Sequence, residues 1–260
     1  MNNKKIIILV AFCLTLILAS ALYSLRALGD MDKSGDIPDV DGIYNMPGRK
    51  NLKVRVFVHQ IAEKKQPPAE PTLYCPPDDE SSSVVGSTGW KLPANWHYSL
   101  NVESVPLRIK PDIEEIATDC FDSWVNPLGG KLFVSRDSFD STATRKKLDG
   151  INTIAWGPTP GNALGITYVW YDNTGLAVET DTIMNNKLTW YWSNSNTCSY
   201  TDVYDAQNTL THEVGHWFGL DDHKTIEYKD NTMYGYGAVG ESKKNTPTVG
   251  DTDGLQKIYQ

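Results

Sequence analysis

Basic residues are in deficit. Lysine and arginine number 24 against 32 aspartates and glutamates, a net charge of −8 that speaks against a nucleic-acid surface. Histidine is scarce, with five in 260 residues: His59, His97, His212, His216 and His223. There is one long apolar run, Ile6 to Tyr23, and no second stretch approaches its length, so the region around His212 is not inside a membrane. No cofactor loop, no Ser/His/Asp spacing and no calcium-loop spacing occurs, which leaves most other chemistries without a motif. The charged share, 22%, and the hydrophobic share, 40%, are those of an ordinary globular protein. Aromatic residues are plentiful instead, with 8 Trp and 13 Tyr, as expected of β-structure with aromatic core packing.

The chain divides into three parts. Met1-Asn2-Asn3-Lys4-Lys5, the apolar run and Ala19-Ser20-Ala21 make residues 1–21 a secretory signal, with an uncleaved membrane anchor as the alternative. Either form places the rest outside the cytoplasm, secreted or held on the outer face of the cytoplasmic membrane. Residues 22–88 read as a spacer or propeptide: a loose polar stretch to Pro47, one strand (Leu52 to His59, clean alternation) and a proline-rich linker through Lys64 to Pro71. Residues 89–260 are dense and regular. Of the four cysteines, Cys13 lies in the leader. Cys120 falls on the apolar face of a helix, as a buried thiol does, which leaves Cys75–Cys198 as the preferred pair in an oxidising compartment.

Within 89–260, Pro111 opens a helix whose apolar positions are Ile113, Ile116, Ala117, Cys120, Phe121 and Trp124. Strands are expected over His97 to Ile109, Lys131 to Val134, Ile151 to Trp156, Leu164 to Tyr171 and Ala177 to Met184. Trp190-Tyr191-Trp192 is a further strand or an aromatic loop. Asp205 caps a second helix running to about Phe218, with Leu210, Val214 and Trp217 as its buried stripe and His212, Glu213 and His216 off it. Thr248 and Asp251 cap a last helix whose apolar face is Leu255, Ile258 and Tyr259. Strand, helix, strands and then helices is an α+β order with a mixed sheet.

Three of the five histidines fall between positions 212 and 223. His212 and His216, four apart on a helix, point from one face and can share a metal ion. Glu213 beside them can act on a metal-bound water as general base. Gly219 suits the left-handed residue that ends a helix. Asp222 or His223 follows as the third candidate ligand.

The pattern His212-Glu213-x-x-His216-x-x-Gly219-x-x-Asp222 resembles the metzincin zinc-binding sequence, in the form with aspartate last that the snapalysin branch carries. Met233 in Asn231-Thr232-Met233-Tyr234-Gly235-Tyr236 is similar in order and distance to the methionine turn. Together with Asp205-x-Gln207-Asn208 and Asp253-Gly254-Leu255-Gln256-x-Ile258-Tyr259, this makes about two thirds of the chain resemble the matrixin-like secreted zinc metalloproteases of prokaryotes. The resemblance implies a mixed, mostly parallel twisted sheet, a long zinc-binding helix, a methionine turn and a C-terminal helix. It implies zinc on His212, His216 and Asp222, Glu213 as the base, and a monomer that cleaves protein or peptide substrates. It also implies that the strand Leu164 to Tyr171 is the edge along which a substrate lies, and it offers Tyr236 as an oxyanion partner. A second, histidine-bound zinc is not expected, because His59 and His97 lie far from any cluster, and Cys75 lacks the flanking pattern of a thiolate switch. Calcium is admissible from the acidic loops. The competing reading is a zinc-binding envelope or adhesion protein without turnover.

Overall fold

The computed structural model describes residues 28–29, 36–62, 71–75, 80–195 and 197–260. Residues 1–21, read above as a signal or anchor, lie outside the described residues, as does nearly all of the proline-rich stretch. Among the described residues no helix is long and apolar enough to cross a membrane.

The main elements are β1 (Gly42–Asn45), β2 (Leu52–Ile61), β3 (Asn95–Leu100), α1 (Ile113–Val125), β4 (Phe133–Arg136), β5 (Thr153–Gly157), β6 (Ala163–Asp172), β7 (Ala177–Asn185), α2 (Ala206–Trp217), β8 (Tyr236–Gly237) and α3 (Val249–Ile258). One sheet runs in the order Leu28–Gly29, β1, β2, β6, β7, β5, β3, β4, and β8 pairs with the end of β2. The expected α+β class with a mixed sheet holds. The sheet is not mostly parallel along its longest ladders: β2 with β6 and β6 with β7 are antiparallel. Their cause is local for the second ladder, because Asn173 to Gly175 is a tight turn that makes a hairpin. Parallel pairing runs from β7 through β5 and β3 to β4.

The polar stretch before Pro47 is not loose throughout. Gly42–Asn45 forms β1 and pairs antiparallel with Lys53 to Val56. Four residues are too few to show a period, and the strand exists because β2 offers it an edge. The alternation of β2 works on both faces. Leu52, Val54 and Val56 pack with Tyr44, Ile166, Tyr168, Trp170 and Ile183 in a small outer core. The opposite face carries Lys53 and Arg55 at one end, but Phe57 and His59 are completely buried against α2.

Helix α1 buries the six expected residues, and its first turn follows a 3-10 turn at Lys110–Asp112 that holds Pro111. Helix α2 is capped by Asp205, which accepts from the Asn208 N–H. It has no solvent face at all: every residue from Ala206 to Trp217 is buried. The apolar stripe packs with α1 in the main core, and polar residues find buried partners instead of water: Thr211 donates to Cys120 Sγ of α1, Asn208 accepts from the Lys244 N–H, and Glu213 accepts from Thr167 of β6. Gly219 ends the helix at φ +96°, and a side chain there would strike the Trp90 carbonyl. Helix α3 opens with a reciprocal capping box between Thr248 and Asp251. Cys75 and Cys198 are bonded, and Cys120 is a buried free thiol.

Candidate metal centre

The centre is assembled by α2 and the loop that follows it. His212 Nδ1 lies 2.7 Å from the Thr232 carbonyl and His216 Nδ1 lies 2.9 Å from the Leu220 carbonyl. A carbonyl only accepts, so each Nδ1 carries the hydrogen and each Nε2 keeps its lone pair. Both Nε2 atoms converge on Asp222 Oδ1, at 3.2 Å from His212 and 3.5 Å from His216. All three residues are enclosed, and His212 Nε2, His216 Nε2 and both Asp222 oxygens lack any hydrogen-bond partner. Buried polar atoms left without a hydrogen-bond partner are costly unless a cation satisfies them. Two imidazole nitrogens and a carboxylate are a zinc donor set, and their ligand atoms fit within 4.8 Å of one another. The residues therefore fit the ion.

His223 is elsewhere. Its Nε2 accepts from the Gly86 N–H at 2.9 Å, and its ring stacks on Tyr228 at 3.9 Å. Met233 is buried beneath α2 at Gly215, where a side chain would collide with the methionine sulfur and with Trp124. Tyr236 stands beside Tyr234, with its carbonyl taken by Lys244.

Electrostatics follow from enclosure. Burial raises the Glu213 carboxyl to about 7, against the opposing pull of His216 and Thr167. Burial lowers His212 to about 4. Burial also acts to lower His216, but the Asp222 carboxylate outweighs it and the result is a raised value. Asp222 itself is held well below the carboxylate range, because the two histidines overcome the effect of burial. Glu213 is held on one oxygen only. Thr167 donates to Oε2 at 2.5 Å, while Oε1 has no aligned partner.

Three contributors were not legible in the chain. Far from lying apart, His59 stacks on His212 at 3.8 Å, and its Nδ1 faces Glu213 Oε1 at 3.3 Å. The fully buried Lys244 donates to the Tyr234 and Tyr236 carbonyls and to His59 Nε2. That contact leaves the hydrogen of His59 on Nδ1, so the ring presents a donor to Glu213 rather than a ligand atom. Asp251 accepts from the Thr232 and Met233 N–H groups and so holds the carbonyl that orients His212. The alternation of β2 placed His59 and Phe57 on one face, which was the only available signal. Nothing local marked Lys244 or Asp251 as belonging to the site.

No protein-family model matches the chain, and no curated protein matches it either.

Proposed function

We propose that this chain is a zinc-dependent endopeptidase of the metzincin, matrixin-like kind, with His212, His216 and Asp222 as ligands and Glu213 as the catalytic base. The observation that carries it is the convergence of His212 Nε2, His216 Nε2 and the Asp222 carboxylate, all buried and unpartnered, one residue away from a buried glutamate. Bound zinc would supply a Lewis acid that lowers the pKa of water toward neutrality and polarises a peptide carbonyl. The chain's own groups do the rest. Glu213, raised to about 7 by burial, is poised to take a proton from water and return it to the leaving amine. Thr167 holds one of its oxygens, which aims the other into the site. The Thr232 and Leu220 carbonyls lock the two imidazoles in the tautomer that exposes Nε2. Met233 supports the helix from below. Protein or peptide is the substrate class, and the enzyme acts as a monomer. A location outside the cytoplasm, secreted or tethered, is supported by the basic-apolar leader and by the Cys75–Cys198 bond.

Complete burial of the centre favours one other reading, zinc held for structure without turnover. Zinc-loaded full-length protein, incubated with casein and a quenched peptide library with and without chelator, separates them. Once the covered centre is opened, chelator-sensitive cleavage, abolished in Glu213→Gln at unchanged zinc content, is expected. No cleavage under any condition that opens the site would leave the structural reading.

A further inference from the structure

The centre is closed by this chain's own strand. His212, Glu213 and His216 have no exposed surface. What covers them is the face of β2: Phe57 stacks on His216 with ring centroids 3.7 Å apart, and His59 stacks on His212 at 3.8 Å. The strand is clasped on two sides. Along one it pairs antiparallel with β6 from Leu52 opposite Asp172 to Gln60 opposite Ala163. On the other, its end lies against β8, with the Ala62 N–H donating to the Gly237 carbonyl at 2.9 Å. This slot, between β6 and the segment after Met233, is where an extended chain would lie over the two histidines while pairing with β6. Backbone groups make this clasp, and Val54 and Val56 add apolar packing on the outer face. The side chains that enter the site alternate, Phe57 and His59, with Val58 turned away into the outer face.

We propose that β2 is a resident occupant of the substrate groove: an internal strand in the pose of an extended peptide, which keeps the metal centre latent until it leaves. This rests on the endopeptidase reading for the identity of the groove. The sequence of β2 also explains why the occupant is not itself turned over as presented. The His59 ring fills the space beside Glu213 Oε1, where the water that the glutamate serves would stand.

The test uses the zinc-loaded full chain and a double variant, Phe57→Ala with His59→Ala, which keeps the ladder and removes both plugging rings. Two rates are read: capture of zinc by a chromogenic chelator and hydrolysis of a quenched peptide. Both should rise roughly tenfold or more, because each scales with the fraction of molecules that are open. Faster capture without hydrolysis would support the covering strand while the peptidase reading fails. A folded variant with wild-type capture would overturn the proposal, and strong hydrolysis by the intact wild type would overturn it while the peptidase reading stands. Should the variant not fold, native-state hydrogen exchange on the wild type decides. The amides of Val54 to His59 should open together with zinc capture in a sub-global step; exchange of β2 only with global unfolding, together with α2, would refute the proposal.

Discussion

Two regions meet at the same pair of imidazoles, and they are held in different ways. The loop from Gly219 to Gly237 supplies Asp222 and the Thr232 carbonyl. It is pinned by polar bonds to groups distant in the chain: Asp251 takes two of its N–H groups, and His223 takes the Gly86 N–H. Strand β2 approaches from the other side. It is held by a backbone ladder and by apolar packing of Val54 and Val56, and its residues at the centre touch rings rather than fixed acceptors. A loop locked by buried carboxylate bonds suits a ligand cage that must keep its geometry. A strand held by a ladder can separate as a unit, since edge pairing is what another chain could replace. The two regions are joined by backbone pairing of Gln60 and Ile61 with Tyr236 and Gly237, by Arg55 near Asp221, and through Lys244, which bonds both His59 and the Tyr234 and Tyr236 carbonyls.

The comparison can be broken at four points. The largest effect belongs to Asp222→Ala, which should weaken zinc binding by more than the roughly 10- to 100-fold lost with an outer partner, measured by competition with a chelator of known affinity. His223→Ala is its control and should leave the affinity unchanged; the reverse result would show that the wrong residue was assigned as the ligand. Next comes Asp251→Ala. It strands the Thr232, Met233 and Thr248 N–H groups in the interior and should cost on the order of 3 kcal/mol by denaturant unfolding. If its stability were intact, the loop would not be pinned as described. Third is Val56→Ala on the outer face of β2, with an expected loss of about 2 kcal/mol from a fully buried position. A negligible loss would mean that apolar packing does not hold the strand.

The smallest change alters one charge on the helix that both regions share. Burial raises the Asp205 carboxyl to about 6, against hydrogen bonds from Asn208 and Ser193 that lower it. The folded chain thus keeps this proton at pH values where the unfolded chain has released it, and stability falls as pH rises from about 4 to about 6. Asp205→Asn preserves the cap and should flatten that fall relative to the wild type in melts at pH 4.5 and 7. An identical pH dependence in the two proteins would disprove the raised value.

Periodicity explains what was legible. The apolar positions of α1 matched residue for residue, because a helix with one wet face writes its burial into the spacing. Helix α2 did so only in part: with no wet face, its polar residues read as a surface side although they are interior. The Asp205 cap, the Thr248–Asp251 box and the Gly219 terminator were visible because caps act over three or four residues. β1 was missed since it borrows its edge from β2. Asp222 was favoured by the register of the resembling motif and by its chemistry as a ligand, and it is the carboxylate that the structure puts beside the two histidines. His59 was set aside for its distance along the chain, yet ladder pairing with β6 carries it across more than 150 positions to Glu213.

By itself the sequence determined the local chemistry: a capped helix presenting two imidazoles and a carboxylate at helical spacing, and a glycine that stops it. Those features depend on bonds between near neighbours, which any short segment encodes. Only the tertiary structure decided that Asp222 rather than His223 stands beside the two imidazoles, that Asp251 holds the Thr232 and Met233 N–H groups, and that the strand Leu52–Ile61 lies over the two rings. Each of these is set by long-range pairing and by enclosure, which withdraws water from groups that sequence alone leaves solvated.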